Sequence, residues 1–437
     1  MPTQPPKLFS KKYTVEPRLI IFGCICAMIY ILLCAYSNVS FAISITNYIF
    51  LLALAFAVYA YLAYYYIKQK HSPSVYCIVI FAAIFHIIGI FSTPQFEDDF
   101  FRYLWDGYTF FEQGNPYLHE PSYYFSDASI PSVYQNLLNQ VNHPDIKTIY
   151  SPLLQYSFWF SHWLFPADIL GLKLIYSACN MAIIFILVKI VNARMLLLYA
   201  WNPLIIKEVA FTAHPDILGV LCIVAALYFF AKHPKTSALC LGLSVCSKPF
   251  AWLIAIYVLL RFKWLQLVIF FLTIAVLYAP FIFQGSELTG LLAFGSNWEF
   301  NAAIYSLFTY VMSGINAKIL CVILLFCIML YCLACFRKSL VLNIRGDFLI
   351  GGLLILSPVI NPWYLLWLLP FAAMQNYTWP WVFSFTVLFS YFSGINLGSE
   401  SLAAYQLPVW VKPIEYIPVL LAVCYDASKL IRSKRVL

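Results

Sequence analysis

Segments such as Leu19 to Tyr36, Ile49 to Ile67, Val75 to Phe91, Leu265 to Ile282 and Ile319 to Phe336 run for at least seventeen predominantly apolar residues without a charged side chain. A bilayer is crossed by roughly 17 to 25 predominantly apolar residues in a helix, so these runs limit the chain to an all-α, polytopic transmembrane bundle. A further run, Trp381 to Tyr391, is shorter. Composition agrees, with 63% hydrophobic and 10% charged residues over 437, where soluble domains average roughly 25% charged. Leu19 to Tyr36 is too long for the apolar core of a cleaved signal, and no small-residue cleavage site follows it.

Basic residues in short loops set orientation. Lys7, Lys11, Lys12 and Arg18 place the N-terminus in the cytoplasm, and Lys68 with Lys70 mark the first return. Lys189 and Arg194, Lys232 and Lys235, Arg261 and Lys263, Arg337 with Lys338 and Arg345, and Lys429 to Arg435 are all cytoplasmic if spans lie near 19–37, 47–67, 75–92, 170–189, 195–209, 215–231, 235–247, 249–261, 264–283, 317–336, 347–360, 362–375, 378–395 and 412–428. That makes fourteen spans with both termini inside, or about twelve if the short ones are broken or re-entrant. The net charge of +8 then meets anionic lipid headgroups, and nucleic acid is not an expected partner. The thirteen cysteines lie almost entirely in apolar runs, and Cys332 and Cys335 read as helix core, so no disulfide framework is expected.

The expected domains are residues 1–92, a first set of membrane segments; 93–168, an extracytoplasmic catalytic loop with interfacial helices; and 169–437, the bundle that completes the site. Residues 94–156 hold eight of the 18 carboxylates, Glu97, Asp98, Asp99, Asp106, Glu112, Glu120, Asp127 and Asp145, against two basic residues, Arg102 and Lys147. Loops of this length are functional or disordered. The density of Tyr, Trp and Phe argues for order, because aromatics supply the area that ordering must bury. Residues 150–166, aromatic and bounded by prolines, read as a helix lying at the outer interface.

Asp98 and Asp99 are the leading catalytic candidates. Neighbours in sequence point in different directions, so the two have different parts, and an ionised aspartate held against a hydroxyl can take its proton as the oxygen attacks. Arg102, three to four residues on, could face the pair or hold a phosphate. Lys248, between a small apolar span and Pro249, is costly without an anion, and a lipid phosphate would serve. Lys207 is a third candidate for that phosphate, though Lys207 and Glu208 also read as a simple pair. His214 and Asp216 also read as a helix cap. A divalent cation, magnesium or manganese, on Asp98, Asp99 and His143 is a candidate cofactor that the sequence does not require. Nucleotide-binding, dinucleotide-binding, HExxH and GxSxG patterns are absent from the sequence.

Taken in order, Asp98-Asp99, Arg102-Tyr103-Leu104-Trp105-Asp106-Gly107, Gly114-Asn115-Pro116-Tyr117, Asn142-His143 and Ile149-Tyr150-Ser151-Pro152-Leu153-Leu154-Gln155 resemble the first outer loop of the GT-C fold glycosyltransferases. The likeness is to the bacterial polyprenyl-phosphate-sugar-dependent enzymes and the GPI mannosyltransferase I type. It continues through Asn202-Pro203-Leu204 with Glu208, His214-Pro215-Asp216, Ser247-Lys248-Pro249, Trp298-Glu299-Phe300-Asn301 and Ser357-Pro358 with Asn361-Pro362-Trp363-Tyr364, covering about residues 90–370. The resemblance implies a GT-C-like enzyme of the bacterial cytoplasmic membrane, with its site facing the periplasm or exterior. It would transfer a sugar such as mannose from a polyprenyl-phosphate donor to a lipid, glycan or protein acceptor. The acid of the first outer loop, carried over to Asp98 or Asp99, acts as base or aligns the acceptor; Asp98 is favoured by its eight-residue spacing to Asp106. Polar residues of the shared blocks, Asp106, Asn115, Tyr117, His143, Tyr150, Gln155, Glu208, His214, Asp216, Asn301, Asn361, Trp363 and Tyr364, would contact the substrates. The chain departs from the pattern in having two spans ahead of the core, in Tyr150-Ser151-Pro152 where Tyr-Pro-Pro is usual, and in His214-Pro215-Asp216 where relatives have His-Asn-Asp.

A single in-line displacement with a base opposite the departing phosphate inverts the anomeric carbon, and a cation offsets the charge developing on the leaving group. The rivals are a lipid or glycan flippase and an oligosaccharide polymerase or ligase. Transporters place their site near the membrane midplane within internal repeats, and no clear repeat is legible in this sequence.

Overall fold

Prolines decide how many of the apolar runs become full-length helices. The computed structural model describes residues 16–39, 43–68, 72–283, 285–336 and 339–434; Lys7, Lys11, Lys12, Lys70, Arg337, Lys338 and Arg435, which help set the expected orientation, lie outside them. Among the described residues the fold is all-helical, with 72% helix and no strand. Five helices are long and apolar enough to cross a membrane: Pro17–Ser37, Ile45–Lys68, Leu170–Ile190, Trp264–Phe281 and Gly314–Cys335. Pro203–Phe211 and Asp216–Phe229 make a sixth if they count as one broken span.

Several of the other expected spans are short helices. Val75–Ile90 has 16 residues, Pro234–Val245 has 12, Gly346–Leu356 has 11 and Ala251–Leu259 has 9. At about 1.5 Å per residue even the longest of these reaches only about 24 Å, less than a hydrocarbon core of about 30 Å. Pro203, Pro234, Pro249, Pro358, Pro362, Pro370 and Pro380 interrupt the apolar runs, each removing an amide donor that a continuing helix needs. Among the described residues, the helices that qualify by length and composition are therefore five or six, against the fourteen spans expected. Along Gly314–Phe336 the side chains of Ile319, Val322, Phe326 and Leu330 stay exposed, a surface suited to lipid rather than water.

The chain divides into two compact units, each gathered from separated stretches. The first comprises Met1–Thr93, Met181–Phe211 and Leu368–Leu437. Helix Pro17–Ser37 packs on Ile45–Lys68 and on Val75–Ile90. Trp201 locks the next segment to this group: its indole donates to the Ile78 carbonyl at 3.0 Å and its ring meets Phe81 and Phe85 edge-on at 5.5 and 5.2 Å. Asn202 caps the helix Pro203–Ile206 with its side-chain oxygen and donates its amide to Ser384 at 2.9 Å.

The second unit comprises Pro94–Asn180 and Thr212–Trp367. Its acidic stretch is ordered, as its aromatics lead one to expect. Helix Asp99–Gln113 ends at Gly114, whose φ of 75° is the left-handed cap that glycine takes without strain. One face of this helix lies on Pro152–Leu164 so closely that a Cβ on Gly107 would sit 2.7 Å from the Phe158 carbonyl oxygen. Beside that contact, Trp105, Tyr108, Tyr124, Tyr134 and Leu138 form an aromatic core. Pro152–Leu164 exposes Phe160, Trp163 and Leu164 and buries Leu154, Gln155 and Phe158, a two-faced pattern that fits an interfacial helix. Two distant motif stretches meet in one parallel bridge, Phe300 with Val359: Phe300 N donates to the Pro358 carbonyl at 3.0 Å and Ile360 N to the Phe300 carbonyl at 2.9 Å.

Candidate active site

Three consecutive acids, Glu97-Asp98-Asp99, enter the second unit at the start of helix Asp99–Gln113, where the helix dipole favours negative charge. Glu97 takes a partner of its own, whereas Asp98 and Asp99 share one. Glu97 meets His214 Nε2, while the Tyr103 hydroxyl lies 3.2 Å from His214 Nδ1. The imidazole stacks on Trp363, with centroids 3.9 Å apart and planes at 12°. Asp98 and Asp99 share one donor, the Asn142 amide nitrogen, at 2.7 and 2.9 Å.

Burial raises the carboxyl of Asp98 above its ordinary range, against the opposing effect of Asn142. Burial, and after it the charge of Asp98, push Asp99 from 3.8 to about 6. Burial holds the His143 imidazole below its usual value although Asp98 pulls it up. Tyr103 and Tyr150 are pushed well above the ordinary phenol range by burial, with Asp99 adding to the effect on each. These are conditions under which a carboxylate acts as a proton acceptor near neutral pH.

Lys248 is the expected cation that keeps an open side. Its ammonium is 2.7 Å from Asp216 Oδ1 and lies over the ring of Tyr364 at 4.1 Å, with 20% of its side chain exposed. Asp216 is buried and also accepts from the Trp367 indole at 2.7 Å. Tyr364 lies in the field of Asp216 and, after it, of Asp99.

Other expected site residues serve the frame. Arg102 does not turn to the acid pair in its hydrogen bonds: Nε binds Asp106 at 2.8 Å and a terminal nitrogen binds the Ile146 carbonyl at 3.0 Å. Asp106 is buried and also accepts from Thr148 and from Gln155 at 2.8 Å. Asn115 accepts from the Tyr117 amide, and the Tyr117 hydroxyl donates to the Tyr150 carbonyl, both at 2.8 Å. Asn301, at φ 51°, donates to the Ile360 carbonyl, and the Asn361 carbonyl accepts from the Tyr364 amide. Lys207 and Glu208 belong to the first unit, buried in a turn of π-helix, where they pair at 3.2 Å and both bond the Tyr391 hydroxyl. Lys207 is thus matched by a carboxylate of its own.

Asp98, Asp99 and His143 do not bring three ligand atoms into one cluster among the described residues; the Asn142 N–H group bridges the two carboxylates instead. Backbone strain marks the same region. Phe96, His143, Ala213 and Asn301 have φ values of 62°, 48°, 59° and 51°, left-handed conformations that cost on the order of 1–3 kcal/mol each and cluster at functional sites. Sequence reasoning missed Glu97, Tyr103, Asn142 and Trp367 as site members. Glu97 carried a signal as the first of three acids; Asn142 had one only as a neighbour of His143.

No family model matches the chain, and no curated protein or solved structure does so either.

Proposed function

We propose that this chain is a membrane glycosyltransferase of GT-C type, moving a sugar from a polyprenyl-phosphate donor to a lipid, glycan or protein acceptor at the outer face of a bacterial cytoplasmic membrane. The observation that carries the reading is the acid pair held by Asn142 and, in the same unit, a partly open lysine lying over an aromatic ring. In the reaction the acceptor oxygen attacks the anomeric carbon, and the bond from that carbon to the phosphate oxygen breaks. Its electron pair leaves with the polyprenyl phosphate, and the acceptor's proton passes to an aspartate. Lys248 offsets charge on the leaving phosphate, an interaction that strengthens as the bond breaks. Wild-type protein in detergent, given a panel of labelled polyprenyl-phosphate sugars, should transfer the label to membrane acceptors or slowly hydrolyse the donor. Neither reaction with any donor of the panel would refute the reading.

One observation favours the rival, a flippase. The buried Lys207–Glu208 pair with Tyr391 sits in a π-helical turn, and ionisable groups at membrane depth mark transport paths as well as catalytic sites. Movement of a fluorescent polyprenyl-phosphate lipid across proteoliposomes, with no glycosidic bond broken, would decide for it.

A further inference from the structure

The acid pair has two different sides. His214 joins the acid run through Glu97, and its charge and the ring of Tyr364 are coupled to Asp99 rather than to Asp98. His214 covers one face of Trp363 at 3.9 Å, and Lys248 lies over Tyr364 at 4.1 Å. Trp363 is only partly buried, and its ring meets edge-on, at 6.0 Å, the Tyr364 ring that lies under Lys248. On the Asp98 side stands His143, adjacent in sequence to the bridging Asn142. Its ring meets Trp298 edge-on at 4.2 Å and 83°, and Trp298 in turn stacks on Phe294 at 5.5 Å. Trp298 too is partly open. The Phe300–Val359 bridge ties the segments carrying the two tryptophans together.

From this the geometry points to two substrate subsites: the donor's sugar ring on the open surface of Trp363, beside Lys248, and the acceptor beside Trp298 and His143, within reach of Asp98. The assignment rests on the glycosyltransferase reading. A pyranose presents C–H groups to the electron-rich face of an indole, and a phosphate joined to that sugar meets the Lys248 ammonium. A base on the side away from the cation is what in-line displacement requires. Asp98 therefore receives the acceptor's proton, and Asp99 accepts a hydroxyl of the sugar. His214, held by Glu97 and Tyr103, is a positioning residue for Trp363.

The test uses Trp363→Ala and Trp298→Ala with polyprenyl-phosphate mannose and bare polyprenyl phosphate as probes, or whichever sugar of the panel the wild type accepts. Trp363→Ala should lose about tenfold or more in affinity for the charged lipid while binding the bare phosphate as the wild type does. Trp298→Ala should bind both lipids and hydrolyse the donor normally, yet lose about tenfold or more in transfer to the membrane fraction. Trp363→Phe and Trp298→Phe, which keep an aromatic face, should recover much of each loss; recovery with that selectivity supports the assignment. If each variant impairs binding, hydrolysis and transfer alike, or Trp363→Ala weakens both lipids equally, the two-subsite assignment is overturned while the glycosyltransferase reading stands. A wild type that neither binds, hydrolyses nor transfers from any charged lipid overturns both.

Discussion

Replacing Asp99 by asparagine should stabilise the protein while impairing it. The Asp99 carboxyl is pushed from 3.8 to about 6, first by burial and then by the charge of Asp98. At about 1.4 kcal/mol per pH unit, ionising it in the folded state costs up to ~3 kcal/mol. Its partial exposure makes that an upper figure. For an acid whose pKa is higher folded than unfolded, the folded state binds more protons between the two values. Stability is thus greatest below 3.8 and falls as pH rises through about 6. Asparagine never ionises, and its side-chain oxygen still accepts from Asn142. Thermal unfolding in detergent, followed by tryptophan fluorescence, should find Asp99→Asn more stable than wild type at about pH 8, the advantage shrinking through the window and vanishing below about pH 4. An equal gain at both ends, or a loss at the high one, would refute the view that Asp99 is held ionised against its surroundings. Donor binding should weaken in the same variant, as expected where a costly charge is kept for function.

Four further outcomes follow from the geometry. Asp98→Asn should lower turnover by roughly 10² to 10⁴ with donor binding little changed; full turnover at saturating donor would remove Asp98 as the base. Lys248→Met alone would leave Asp216 buried without its cation, so the cleaner variant is Lys248→Met with Asp216→Asn, in which donor KM should rise about a hundredfold; an unchanged donor KM would take Lys248 out of phosphate binding. Arg102→Met should act on folding, because it strands the buried Asp106, a loss of about 3–5 kcal/mol; a folded, stable variant with a raised donor KM would restore Arg102 as a phosphate ligand. In a background without the native cysteines, an impermeant thiol reagent should reach a cysteine introduced at the exposed Ser126 but not at the equally exposed Ser72, and labelling at Ser72 alone would reverse the orientation.

The helical class was legible because apolar runs as long as a bilayer have few other folds open to them. The order of the acidic stretch was legible as well, since Trp105, Tyr108, Tyr124 and Tyr134 had to be buried somewhere and are buried together. The span count was not, because hydropathy averages over a proline and a helix does not. The pairing of Arg102 was readable in principle: Asp106 lies one helical turn on, a spacing that brings oppositely charged side chains together, and the more conspicuous acid pair drew attention away from it. The partners of Glu97 and Asp98 were out of reach. Glu97 and His214 are 117 positions apart, and Asp98 and Asn142 are 44 apart, so only the packing of the second unit joins them.

Three adjacent carboxylates repel one another, and a chain with only a solvated acidic edge to make would leave all three in water. Here each is drawn inward against that repulsion. Glu97 goes to an imidazole, and Asp98 and Asp99 share a single side-chain amide. The left-handed backbone of Phe96 and Ala213 stands immediately before Glu97 and His214, so strain is concentrated where these acids are placed. A purely structural arrangement would gain by replacing Asp98 or Asp99 with asparagine, which needs no desolvated charge. Retaining both as acids, on one shared side-chain amide and beside strained backbone, is the arrangement expected where a hydroxyl-bearing substrate adds its own hydrogen bond and one carboxylate then takes a proton.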